Sequence, residues 1–257
     1  MKKKILIAVL CVCIVSVGVF SFLLVRELLT DSQSRNFYAD IAAVGTRPRE
    51  PVENGSSGDS TNPPETQPAG WVPYVDFEAL NDEIPGVVGW IILENTVINY
   101  PVMQYTDNEY FLTRLPDGTT HRNGSIFLDY RNENDFSDKS ILIYGHHTRA
   151  GDMFGVLKNY RNQEFFEENP VIYLYTPEQD LKIALFAGHI AHSRRDHPPL
   201  EFETDEDFLA YIEHIRNKSV FNSDVEVTAE DRIISLVTCT YDFNNARLIL
   251  AGIVVEG

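Results

Sequence analysis

Ile5 to Val25 is a run of 21 residues without a charge, preceded by Lys2, Lys3 and Lys4 and closed by Arg26 and Glu27. As a helix such a run is about 31 Å long, at roughly 1.5 Å per residue, which matches the hydrocarbon core of a bilayer. A cleavable signal peptide has a shorter apolar region followed by a small-x-small site. "SFLLVRELL" offers no such site, so the run reads as an uncleaved signal anchor. The lysines favour an N-terminus inside the cell and an exported C-terminal body. That body must then fold without a disulfide. Cys11 and Cys13 lie in the anchor, behind bulky Leu10 and Val12 that suit a lipoprotein box poorly, and Cys239 stands alone in the rest. The fold has to stand on its core.

Charge excludes one class of partner. Residues 31 to 257 carry 17 Lys+Arg against 37 Asp+Glu, so no basic stripe is available for a nucleic-acid backbone. Organisation follows from composition. The tip and anchor occupy residues 1–30. Residues 31–70 begin with a short helical pattern, Asp31 to Val44, and continue as Gly45 to Gly70, which has five prolines and Val52 as its one large aliphatic residue. Such a segment cannot bury enough surface to fold and reads as a stalk. Residues 71–257 form the domain.

Strand patterns dominate that domain. "VVGWIIL" and "TVINYPVM" flank a Glu94-Asn95 turn, and "GSIFLDY" follows Asn123-Gly124. "SILIYGHH", "VIYLYTP", "LKIALFAGHIA", "RIISLVTC" and "ARLILAGIVV" bring the total to roughly eight, with Pro101 and Pro177 expected at strand ends or edges. Two helical stretches interrupt the series. "GDMFGVLKNYRNQEFFEE" places Met153, Phe154, Leu157 and Tyr160 along one face. "TDEDFLAYIEHIRNKSVF" has Thr204 as N-cap, acids in its first turn, and Phe208, Tyr211, Ile212 and Ile215 as its buried stripe. Many strands, few helices and no glycine-rich phosphate loop predict a mainly β fold, a barrel or sandwich with appended helices.

The chemistry gathers at Cys239, the end of a strand, with Arg247 eight residues on at the start of the next. In an antiparallel pair the guanidinium comes back beside the thiol, where it favours a thiolate and can hydrogen-bond a carbonyl oxygen. "IYGHHT" ends another strand at Gly145 and leaves His146 and His147 at its tip, where a scaffold presents proton-transfer groups. Neighbours on an extended strand point to opposite faces, so one of the two histidines faces the thiol. A nucleophile, an acid and a positive group are what attack on an amide requires.

"LVTC", an arginine on the following strand and a strand-end Gly-His resemble the sortases, membrane-anchored cysteine transpeptidases of Gram-positive bacteria. "VVGWIILENTVINYPVMQ", "NGSIFLDYRN" and a 92-residue stretch between His146 and Cys239 that carries a long helix are similar to the class B branch. The resemblance implies a closed, roughly eight-stranded β-barrel and a two-step reaction. The thiolate attacks the threonine carbonyl of a sorting signal, of the Asn-Pro-x-Thr-Asn or Pro-x-Thr-Gly kind. An amine of a peptidoglycan precursor or cross-bridge, or a pilin lysine, then resolves the acyl-enzyme. It also implies His146 as the catalytic histidine, Cys239 as nucleophile and Arg247 as the oxyanion and substrate arginine. Asn108, Leu112 and Tyr144 match its pocket positions. Val237 stands where class B members often have serine, so a side-chain hydrogen bond to the peptide cannot come from there.

Other readings stay open at this level. His147 is the alternative histidine, and Asp242 either orients an imidazole or is a solvated loop acid. A noncatalytic barrel ectodomain, adhesive or sensory, would carry the same fold. His189 and His192 sit on opposite faces of an extended stretch, His197 precedes two prolines, and no HExxH helix is present, so neither a metal nor a dissociable cofactor is expected. The expected location is the cell membrane, single-pass, with the domain outside.

Overall fold

A computed structural model of the chain describes residues 2–47, 74–148 and 150–255. The stalk expected up to Gly70 lies, from residue 48 on, outside the described residues, as does the domain start at Trp71. Two compact units are present, Met1–Asp40 and Ile41–Gly257. Helix α1 (Lys2–Gly45) is continuous, so the pattern over Asp31–Val44 is its C-terminal part. From Cys13 it is long and apolar enough to cross a membrane.

Strand β1 (Thr46–Arg47) pairs antiparallel with β2 (Tyr74–Val75). Helix α2 (Phe77–Glu83) follows, capped by Asp76, whose carboxylate accepts from the Ala79 N–H at 3.0 Å. Eight further strands form the barrel: β3 (Val87–Ile92), β4 (Asn99–Met103), β5 (Ile126–Leu128), β6 (Ser140–Tyr144), β7 (Val171–Tyr175), β8 (Asp180–His192), β9 (Ile233–Cys239) and β10 (Ala246–Val255). They close in the order β10-β8-β7-β3-β4-β5-β6-β9. The β4–β5 and β6–β9 pairs are parallel and the rest antiparallel. This is the closed barrel with appended helices that the resemblance implies, where the strand count alone left a barrel or a sandwich open.

Local chemistry explains the details. Asn95 turns β3 into β4 with φ 57°, a conformation asparagine tolerates. Pro101, expected at a strand end or edge, lies inside β4 opposite Trp90. Strand β5 joins β4 only from Val102 onward, which leaves one side of β4 outside the ladder at the residue that has no N–H. The stretch read as one helix at residues 151–168 is two pieces, a 3-10 helix (Phe154–Arg161) and α3 (Gln163–Glu168). Asn162 divides them: extended at φ −100° and ψ 123°, it accepts from the Glu164 N–H and caps α3. Met153 is outside the helix with φ 54°, although it is buried with Phe154, Leu157 and Tyr160.

Helix α4 (Asp205–Arg216) packs on the outside of β8 and β10. Thr204 caps it by accepting from the Asp207 N–H at 3.1 Å, and Asp205, Glu206 and Asp207 meet the positive end of its dipole. Its Phe208, Ile212 and Ile215 are buried against Ala184, Phe186, Ala187, Ala251 and Ile253, with Tyr211 at the margin. Small strand residues allow that approach. Gly252 sits at the β10 bulge, where a Cβ would lie 2.9 Å from the Ala184 carbonyl oxygen.

His189 lies on β8, 4% exposed, with no hydrogen-bond partner for Nδ1 among the described residues. Burial first, then the Lys218 and His214 charges, lower its pKa to about 4. The unfolded chain therefore takes up this proton near pH 6.5 while the folded chain resists it, so stability falls as pH drops from about 6.5 to about 4, by about 3 kcal/mol in all. His189→Leu should flatten that limb in urea unfolding at pH 7 and pH 4.5.

Candidate active site

The groove is built where β6 and β9 end side by side. Their parallel register runs to Tyr144↔Val237. Beyond it the Gly145 N–H donates to the Val237 carbonyl at 3.1 Å, and the Thr238 hydroxyl donates back to the Gly145 carbonyl at 2.8 Å. Both chains therefore leave the barrel stitched together, with His146 following Gly145 and Cys239 following Thr238. A larger residue at 145 would displace its neighbours, because a Cβ would lie 2.4 Å from Ile126 Cδ1 and 2.6 Å from Phe154 Cδ2.

Cys239 pairs directly with Arg247 in the β9–β10 ladder. Residues opposite each other in an antiparallel pair share a face, with Cβ atoms roughly 5 Å apart. Cys239, Arg247 and His146 line one groove of about 240 Å³, together with Asn108, Leu112 and Tyr144. Its floor is apolar: Val237, Ala191 and Ile249 form a buried cluster against Tyr144. No hydrogen bond joins His146 to Cys239 among the described residues. Instead His146 Nε2 donates to the Leu112 carbonyl at 2.7 Å. A carbonyl only accepts, so Nε2 carries a proton, and Nδ1 is the ring nitrogen left for other partners.

His147 turns elsewhere. Its Nδ1 donates to the Cys239 carbonyl at 2.9 Å, its ring meets Tyr241 edge-on at 5.4 Å, and it does not line the groove. Asp242 does not line the groove. Arg161 Nη1 and Nη2 hold its carboxylate at 2.9 and 2.5 Å, and the Thr240 hydroxyl donates to it at 2.7 Å. Arg161 foremost, then Thr240, holds the Asp242 pKa near about 2. The loop after the cysteine is thus clamped to the 3-10 helix. Among the described residues no three His, Cys, Asp or Glu side chains form a metal-holding group.

Sequence reasoning missed the group behind the groove. Asp129, just past β5, has a fully buried carboxylate. Oδ1 accepts from Arg131 Nε at 2.8 Å and from the Arg131 N–H at 3.0 Å. Oδ2 accepts from Arg131 Nη2 at 2.8 Å, Asn108 Nδ2 at 2.9 Å and the Tyr144 hydroxyl at 2.9 Å. Asn108 in turn accepts the Tyr130 N–H at 3.0 Å. Asp129 therefore orients two of the pocket residues named from sequence. Its signal was an acid placed directly after the apolar "SIFL" run. Burial raises its pKa, but the Arg131, Asn108 and Tyr144 hydrogen bonds outweigh that and bring it to about 2. Burial, then the Asp129 charge, pushes the Tyr144 hydroxyl well above its ordinary value.

A carboxylate whose pKa is lowered on folding stabilises the fold fully above about pH 4, and the contribution is lost as pH falls towards about 2. For Asp129 that contribution is about 2 kcal/mol at neutral pH. Asp129→Asn also leaves Arg131 without its partner. It should cost at least about 2 kcal/mol in denaturant unfolding at pH 7 and remove the loss between pH 4 and 2.

No family model matches the chain. Sortase B of Listeria monocytogenes is 34% identical over 179 residues, covering 69% of this chain and 72% of that protein. Sortase B of Staphylococcus aureus is 33% identical over 182 residues, covering 70% and 75%. Among solved structures, a Staphylococcus aureus sortase B–substrate complex superposes with a TM-score of 0.67 at 33% identity, covering 70% of this chain and 84% of that one. Sortase B of Bacillus anthracis superposes with a TM-score of 0.73 at 28% identity, covering 90% and 100%.

Proposed function

This chain belongs to the sortase B family of cysteine transpeptidases, and from that premise we propose that it cleaves a sorting signal after threonine and passes the acyl group to a peptidoglycan amine. The signal is of the Asn-Pro-x-Thr-Asn or Pro-x-Thr-Gly kind, and the amine belongs to a precursor or cross-bridge. The observation that carries the reading is the direct pairing of Cys239 with Arg247 in a groove that His146 also lines.

In this reading the Cys239 thiolate attacks the threonine carbonyl and a C–S bond forms. The charge that develops on oxygen is met by the Arg247 guanidinium, whose Nη1 also donates to the neighbouring Ala246 carbonyl at 3.0 Å. Collapse breaks the C–N bond, and the leaving amine takes a proton from His146. The acceptor amine then attacks the thioester and gives its proton back to His146, and the thiolate leaves. The Leu112 carbonyl holds the imidazole at the groove wall between turns. Asn108 and Tyr144, fixed by Asp129, form the polar side of the peptide site. Helix α1 is the tether, with the lysines inside and the groove on the exported side.

Incubation with a quenched peptide panel of both motif types, followed by mass spectrometry, should give cleavage after threonine and an acyl adduct on Cys239. Cys239→Ala should abolish both, and Arg247→Ala should lower kcat by about 10²–10³, the size of one lost oxyanion donor. An unmodified Cys239 across the panel would retire the reading. Attack requires a thiolate and a protonated imidazole at the same time. Turnover should follow a bell-shaped pH profile, slow in water and faster with acceptor amine; a flat profile from about pH 6 to 9 would count against the pair.

Val237 bears on selectivity. Its place in the apolar floor favours an apolar contact where a serine would offer a hydroxyl. Val237→Ser should change the ranking of peptides in KM and leave kcat for the best one within about threefold.

A further inference from the structure

One wall of the groove is the segment Ser193–Pro198, which leaves the end of β8 and lines the cavity through Ser193, Asp196, His197 and Pro198. A side-chain contact ties it across to β6. His197 Nε2 lies 3.1 Å from the Tyr144 hydroxyl oxygen, and His197 Nδ1 lies 2.8 Å from the Pro198 carbonyl oxygen. The same Tyr144 hydroxyl is 2.9 Å from Asp129 Oδ2.

Counting protons over these contacts distinguishes two states. The Pro198 carbonyl only accepts, so Nδ1 carries a hydrogen. The Asp129 carboxylate also only accepts, and Tyr144 has one proton to give. With a neutral His197, Nε2 is a bare lone pair, and that one hydroxyl proton faces two acceptors. One of the two contacts is then lone pair against lone pair. With a second proton on Nε2 every contact holds a hydrogen: Nδ1–H to Pro198, Nε2–H to Tyr144, and the Tyr144 hydroxyl to Asp129. Only the doubly protonated ring satisfies the whole arrangement.

The surrounding charges act on that ring from several elements. On its own segment, Asp196 lines the groove and accepts the His192 N–H at 3.2 Å, with Arg194 and Arg195 beside it in the chain. Behind Tyr144 stands Asp129, whose charge is shared with Arg131. Arg247, His146 and Cys239 line the same cavity from β10, the end of β6 and β9. The carboxylates around the ring are therefore Asp196 and Asp129, and the guanidinium that shares the cavity is Arg247.

We propose that doubly protonated His197 latches the Ser193–Pro198 wall onto Tyr144 and closes the groove around the sorting-signal peptide, and that loss of the proton releases the wall. The peptide part of this rests on the reading given under Proposed function. His197 is then a positioning residue: it acts through Tyr144 and changes how tightly the peptide is held, not the chemistry at Cys239.

The test begins without peptide, on the full chain held in detergent. Amide hydrogen exchange over residues 193–198, corrected for intrinsic rates, should be several-fold slower at about pH 5.5 than at about pH 8. His197→Phe and Tyr144→Phe should abolish that difference, and ¹⁵N spectra should find both His197 ring nitrogens protonated in the protected state. Equal protection at the two pH values, or the same response in His197→Phe, overturns the latch. With a cleaved peptide, His197→Phe should raise KM at the acidic pH about fivefold, the size of one hydrogen bond, with kcat nearly unchanged. A fall in kcat at constant KM overturns the positioning role. A wall that responds to pH in a chain that cleaves no sorting signal would support the latch and retire the sortase-peptide reading alone.

Discussion

The parallel pairing of β6 with β9 is the constraint on which both the barrel and the groove depend. Parallel neighbours bring their C-terminal ends to the same rim, whereas antiparallel neighbours bring one end of each. Residues at or just past the ends of two such strands therefore emerge together. Here those residues are His146 and Cys239, and the reciprocal Gly145–Val237 and Thr238–Gly145 hydrogen bonds carry the alignment beyond the last ladder pair. The antiparallel return of β10 then adds Arg247 from the other side of Cys239. Three groups from three strands meet because two kinds of pairing alternate around one strand, β9.

Behind that rim sits a second constraint, an ionised carboxylate removed from water. Asp129 is tolerated because five donors surround it, two from the Arg131 fork and the rest from the Arg131 backbone, Asn108 and Tyr144. Satisfying the charge fixes the side chains that do so. Asn108 and Tyr144 are thus held at the groove by a residue that does not line it.

Much of the barrel was legible in the sequence. Each of the eight apolar runs became a strand, because continuous apolar character suits strands buried on both faces, and the Thr204 cap with its following acids marked α4. Where reading failed, a short-range preference had been outvoted. Apolar spacing suggested one helix across residues 151–168, but Asn162 caps more favourably than it continues a helix. Pro101, read as marking a strand end or edge, lies where β5 does not reach β4, and that reach is not written in β4. Helix α2 went unread although Asp76 and Glu78 mark its start. In the groove, Cys239, Arg247 and His146 could be nominated because each stands at the end or start of a strand pattern. The Asp129 group, the Arg161 clamp and the His197 contact could not, since each joins residues far apart in the chain.

The order of the strands has a temporal side. The groove needs β6, β9 and β10, and β10 ends at Val255. A chain made N-terminus first has His146 before Cys239, and Arg247 last of the three. Until then β9 has only β6 as a neighbour, and Cys239 has neither the guanidinium nor the clamped loop beside it. Pairings of such sequence separation form late and slowly. Closure of the barrel and assembly of the groove are thus one event.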